Sequence, residues 1–197
     1  MGLNRKVSAL AQSGADVDAL LADRTIPQDG LIWLNAIDLL QLPGDFTEQR
    51  VAAADWSITH TASGSVTRRV ALPVSQLVRQ TESKGLLVID VVWSYRIETV
   101  NATSIDVTCH RTSYVHGNAP SVAAFGGTIV DASYDTSHDS AAERAATGQH
   151  TLVVTLPEPE FHTVDNAIVM AEFVAVLPNT CKLTIHGAGV HVAHDLV

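Results

Sequence analysis

Residues 86–100 read Leu-Leu-Val-Ile-Asp-Val-Val-Trp-Ser-Tyr-Arg-Ile-Glu-Thr-Val. Leu87, Ile89, Val91, Trp93, Tyr95 and Ile97 fall at every second position, with Asp90, Ser94 and Arg96 between them. Side chains alternate across a strand, so this spacing gives one apolar and one mixed face. Val, Ile, Tyr and Trp are also the residues a pleated, half-buried surface selects.

The flanking segments repeat the theme. Trp56–Thr61 alternates, Ala62-Ser-Gly-Ser65 reads as a turn, and Val66–Leu72 is a second strand ended by Pro73. Further strands are expected at 104–115, 122–133, 151–156, 167–177 and 181–194. Gly126-Gly127 suggests a bulge or close backbone approach, and Pro157-Glu-Pro159 is expected to end the strand before it. The run Ala167–Leu177 is apolar on both faces, which calls for a second layer over it. About eight strands separated by turn signals, with no crossover helices, predict an all-β fold. The expected architecture is one jelly-roll-like antiparallel β-sandwich over residues 51–197.

Residues 1–50 read differently, as a mostly non-β N-terminal arm. Val17, Leu20 and Leu21 have helical spacing within Asp16–Asp23. Pro27 and Gly30 then interrupt regular structure, and an apolar segment follows, closed by Pro43-Gly44-Asp45. Its residues Leu31, Ile32, Trp33, Leu34, Ile37, Leu39 and Leu40 are the expected partner contacts, docking on their own domain or on a neighbour.

Composition bounds the function. Of the 197 residues, 46% are apolar and only 17% charged, so the chain is expected either to have a small polar surface or to cover apolar surface with a partner. The net charge of −9 and the scattered basic residues argue against nucleic acid or an acidic membrane surface as partner. No stretch reads as a secretory signal or membrane span, so synthesis in cytoplasm is expected. Cys109 and Cys181 fall in register with inward apolar neighbours and are expected as buried, reduced thiols, with a disulfide between facing strands as the alternative.

Catalytic and metal chemistry find little support. The chain has nine histidines, but His186, His191 and His194 alternate faces on a regular strand, unless a bulge at Gly187 or Gly189 intervenes. Asp131, Asp135, His138 and Asp139 lack the every-second-residue acidic pattern of a calcium loop. Glu158 and Glu160 flank Pro159 in an expected turn, and no nucleophile elbow, Walker loop or dinucleotide fingerprint occurs. No catalytic residue, cofactor or metal is assigned, and the chain is not expected to be an enzyme. Trp93 and Tyr95 read as core, whereas Trp33 and Trp56 remain candidate contact residues.

Several segments from about Leu72 onward carry a resemblance. They are Ala71-Leu-Pro-Val-Ser-Gln-Leu77, the strand Lys84–Tyr95, Ser133-Tyr-Asp-Thr-Ser-His-Asp139 with the following run to Gly148-Gln-His-Thr-Leu-Val-Val-Thr-Leu156, Ala167–Phe173, and Cys181-Lys-Leu-Thr-Ile-His-Gly187. Over roughly the last two-thirds of the chain the pattern resembles tailed-bacteriophage virion proteins with a jelly-roll-like sandwich. That resemblance implies a virion structural role, foremost a capsid decoration (cement) subunit. Such a subunit would form a homo-oligomer, a trimer by preference, and seat on the major capsid protein or another virion protein. Burial of apolar strand faces and arm side chains would drive association, at roughly 25 cal/mol per Å² before the entropic costs of binding. Two other functions fit the residues: a glycan- or receptor-binding sandwich module, for which an exposed Trp33 or Trp56 beside polar groups would speak, and a metal-dependent jelly-roll enzyme.

Overall fold

The computed structural model describes residues 30–52, 55–74, 86–113, 117, 119, 121–125, 128–130, 140–162 and 167–194. The helix expected at 16–23, the glycine pair 126–127 and the acidic loop 131–139 lie outside them.

Twelve strands are present among the described residues: β1 (Gly30–Asn35), β2 (Leu40–Gln41), β3 (Thr47–Ala52), β4 (Asp55–Thr61), β5 (Val66–Leu72), β6 (Leu86–Glu98), β7 (Ser104–Ser113), β8 (Ser121–Phe125), β9 (Thr128–Val130), β10 (Gly148–His162), β11 (Ala167–Leu177) and β12 (Lys182–His194). They form two sheets. The seven-stranded sheet runs β3-β4-β12-β6-β10-β9, and β1 also pairs with β12; the five-stranded sheet runs β2-β5-β11-β7-β8. Every pairing is antiparallel. From β4 to β7 the chain changes sheet at each strand, and it changes again between β8 and β9, β10 and β11, and β11 and β12. The fold is thus the expected all-β, jelly-roll-like sandwich.

Its core is made by the inner faces. Val91, Trp93, Tyr95 and Ile97 of β6 are buried, as the period-two reading requires. Trp93 and Tyr95 each lie 5.1 Å from the ring of Phe173 on β11, in tilted and edge-on contacts. Such pairs add to the area buried by the rings. The Tyr95 hydroxyl donates to the Arg144 carbonyl at 2.8 Å, and Arg144 Nε donates to the Ile105 carbonyl at 3.2 Å. These bonds tie a one-turn helix, Ala141–Arg144, onto β6 and β7. Ser140 and Glu143 cap that turn reciprocally, a Ser-x-x-Glu pattern that opens helices. Cys109 and Cys181 are free, buried thiols, as expected.

Three expectations need correction. The segment 30–50 is not a mostly non-β arm: among the described residues it supplies β1, β2 and most of β3, which belong to the sandwich. Leu31, Ile32, Trp33 and Leu34 alternate outward and inward although all four are apolar, which hid the period of two. Secondly, β10 continues through Pro157 and Pro159 to His162, with its register to β6 shifting between Thr155 and Glu160. Proline lacks the N–H a ladder needs, and a bulge is where a strand tolerates that loss. Finally, the single strand expected over 122–133 is two strands in different sheets, β8 beside β7 and β9 beside β10.

Candidate functional site

The outer face of the seven-stranded sheet carries the most distinctive surface. Cross-strand partners share a face, so the registers define rows running across the strands. One row is Leu31, His191, Asp90 and Thr155; the next is Trp33, Gly189, Val92 and Val153; the third is Asn35, Gly187, Ser94 and Thr151. A largely apolar row is therefore flanked by two rows that are mostly polar. It is closed at Val92 and Val153, which are buried, and open at Trp33, which is 38% exposed.

Gly187 and Gly189 create the seat for Trp33. A Cβ on Gly187 would lie 2.7 Å from Trp33 Nε1 and 2.8 Å from Cε2, and one on Gly189 would lie 2.9 Å from Cε3. The indole therefore spans both glycines and rests on bare β12 backbone. Only glycine permits this close approach.

Polar groups are held in place beside the ring. Thr155 Oγ1 donates to Asp90 Oδ1 at 2.6 Å, and His191 Nδ1 faces Asp90 Oδ2 at 3.3 Å. Across the third row, Gln149 Nε2 donates to Ser94 Oγ at 3.3 Å. Farther along the face, Glu98 pairs with Lys182 at 2.7 Å and Arg96 at 3.4 Å. The Lys182 hydrogen bond is the main cause that holds the Glu98 carboxyl below its ordinary range. Exposed pairs of this kind add little stability but keep that end of the face charged and solvated.

The expected contact residues divide by face. Leu31, Trp33 and Leu40 are exposed; Ile32, Leu34 and Ile37 pack against the core, and Leu39 is buried in it. Four of the seven side chains thus hold the segment to its own sandwich, and three face outward. Trp56, the other tryptophan read as a possible contact, is 36% exposed at the start of β4. The β12 register does shift at His186, as a bulge near Gly187 would require. No group of three or more His, Cys, Asp or Glu side chains able to hold a metal ion occurs among the described residues.

A separate cleft of about 460 Å³ lies between the turn before β3 and the end of β4, lined by Asp45, Thr47, Glu48, Thr59, His60 and neighbours. Burial first, and then the Arg68 guanidinium, push the His60 imidazole below its ordinary value against the opposing pull of Asp45.

No known protein-family model matches the sequence, and no curated protein sequence matches it. Among solved structures, the chain is similar to the CBM22-1 xylan-binding domain of Xyn10C from Paenibacillus barcinonensis, with a TM-score of 0.44 and 6% identity over 85% of this chain and 97% of that one. It is also similar to TmCBM61 in complex with β-1,4-galactotriose, with a TM-score of 0.35 and 8% identity over 83% and 88% of the two chains. A third similar structure is the Desmodium yellow mottle tymovirus, with a TM-score of 0.23 and 7% identity over 76% and 94%. At such identities the likeness concerns the course of the chain alone.

Proposed function

We propose that the protein is a non-catalytic β-sandwich module that binds a sugar on the outer face of its seven-stranded sheet, with Trp33 as the platform. The carrying observation is the Trp33 indole seated against Gly187 and Gly189 while the residue stays 38% exposed. An aromatic face offers a sugar's C–H face an apolar partner, and a few fixed polar groups beside it set orientation. Because the ring is seated on strand backbone, little side-chain freedom is left to lose on binding. The flanking rows supply donors and acceptors from Asp90, His191, Ser94 and Thr151. A glycan array tests this: binding by the parent protein is expected, and a complete absence of hits overturns it.

A second reading, a virion structural subunit that oligomerises and seats on capsid proteins, is favoured by a different observation. Leu42 is 66% exposed and Leu40 is also exposed, and together with Val70 and Ala71 they line a mainly apolar groove at the β2 edge of the five-stranded sheet. An apolar edge of this kind suits a partner protein. Light scattering on the parent and on Leu40→Glu/Leu42→Glu tests it: an oligomer that dissociates in the variant supports the reading, and a parent monomer opposes it.

A further inference from the structure

We propose that His191 is the hydrogen-bonding determinant of the Trp33 face, that Asp90 and Thr155 position it, and that the ligand it selects is a neutral sugar donating a hydroxyl to its Nε2. This rests on reading the Trp33 face as a sugar-binding surface.

A carboxylate only accepts hydrogen bonds. Asp90 Oδ2, 3.3 Å from His191 Nδ1, therefore selects the tautomer with the proton on Nδ1 and leaves Nε2 as an acceptor. The other carboxylate oxygen, Oδ1, accepts from Thr155 at 2.6 Å. Both oxygens of Asp90 are thus engaged from neighbouring strands, which holds the carboxylate and through it the imidazole. The His191 side chain is 26% exposed, so part of the ring reaches solvent.

The backbone marks the same place. Directly past this row the register of β6 shifts against both neighbours, between His191 and Val192 on β12 and between Thr155 and Glu160 on β10. Bulges re-aim side chains and gather beside binding sites. His191 lies two residues along β12 from Gly189, the seat of Trp33, a distance of about 7 Å along a strand. That suits a hydroxyl on the rim of a sugar ring stacked on the indole. Asp90 is the one acidic side chain in this row, and it disfavours acidic sugars over neutral ones.

The test is affinity electrophoresis of the full chain in gels containing hydroxyethylcellulose, xylan, galactan or polygalacturonate. The parent is expected to be retarded by at least one neutral polymer and not by polygalacturonate. A neutral hydrogen bond corresponds to about a three- to tenfold change in affinity, so His191→Asn should weaken retardation by that factor. His191→Gln, whose longer carboxamide reaches toward the position of Nε2, should recover most of it. Asp90→Asn should also weaken binding, and Asp90→Asn/His191→Asn should bind no more weakly than His191→Asn alone. If His191→Asn binds like the parent while Trp33→Ala does not, the role of His191 is overturned and the sugar reading stands. Additive losses in the double variant overturn the positioning role of Asp90. A parent retarded by polygalacturonate overturns the preference for neutral sugars, and a parent unretarded in every gel overturns this inference and the sugar reading together.

Discussion

Replacing Gly189 with alanine should destabilise the protein and disorganise the Trp33 face at once. A Cβ at this position would stand 2.5 Å from the Ile32 carbonyl oxygen, 2.9 Å from Trp33 Cε3 and 3.2 Å from Leu31 Cδ1. Ordinary contact begins at 3.4 Å, so the carbonyl is 0.9 Å too close (3.4 less 2.5). That atom is backbone, and it cannot retreat without opening the β1–β12 ladder, whose register runs from Gly30↔Val192 to Asn35↔Gly187. Forcing an extra carbon into a filled site costs about 1–3 kcal/mol. In a chain of this length each kcal/mol lowers Tm by about 2–4 °C, so a fall of about 2–12 °C is expected in a thermal melt. Gly189→Ala in a Trp33→Ala background removes the ring contact but leaves the carbonyl contact, so most of the penalty should persist. A Gly189→Ala protein melting within about 1 °C of the parent would refute the reasoning, because strain of that size cannot be absorbed silently.

Three other outcomes are expected. Phe173→Ala empties the space between Trp93 and Tyr95, and should cost about 3–5 kcal/mol in denaturant unfolding, within the range for buried aromatic truncations. Burial pushes the Cys109 thiol up to about 11 and raises that of Cys181, so a thiol reagent at mildly alkaline pH should label neither in the folded protein and both in denaturant. His60 is depressed in the folded protein, chiefly by burial, so the unfolded chain binds a proton there first as pH falls. Stability should therefore decline as pH drops below about 6.5 through the folded value, and a Tm-versus-pH series should show that decline reduced in His60→Gln.

The legible parts of the fold were those where chemistry and geometry share a period. Val66–Leu72 and Ala167–Leu177 emerge as β5 and β11 at the expected bounds, because turn residues bracket strongly β-forming runs. β1 escaped because outward Leu31 and Trp33 are as apolar as inward Ile32 and Leu34. β3 escaped because Thr-Glu-Gln-Arg-Val-Ala is mostly polar, and among the described residues it joins the sheet through β4 alone. The capping pair Ser140 and Glu143 went unread, and the turn it opens is only four residues long. For the site, Trp33 was readable as a contact candidate, while Gly187 and Gly189 read only as interruptions. Their role as its floor depends on the pairing of Trp33 with Gly189, across most of the chain length. Asp90 is 65 residues from Thr155 and 101 from His191, so no local spacing connects the three.

The central claim is that the exposed Trp33 binds a sugar. Isothermal titration of the parent and of Trp33→Ala, using whichever saccharide the array selects, tests it most directly. Aromatic stacking lost on truncation corresponds to about 1–3 kcal/mol, so a fall in affinity of about 5- to 150-fold is predicted with the fold intact. Equal affinity in the two proteins would contradict the account.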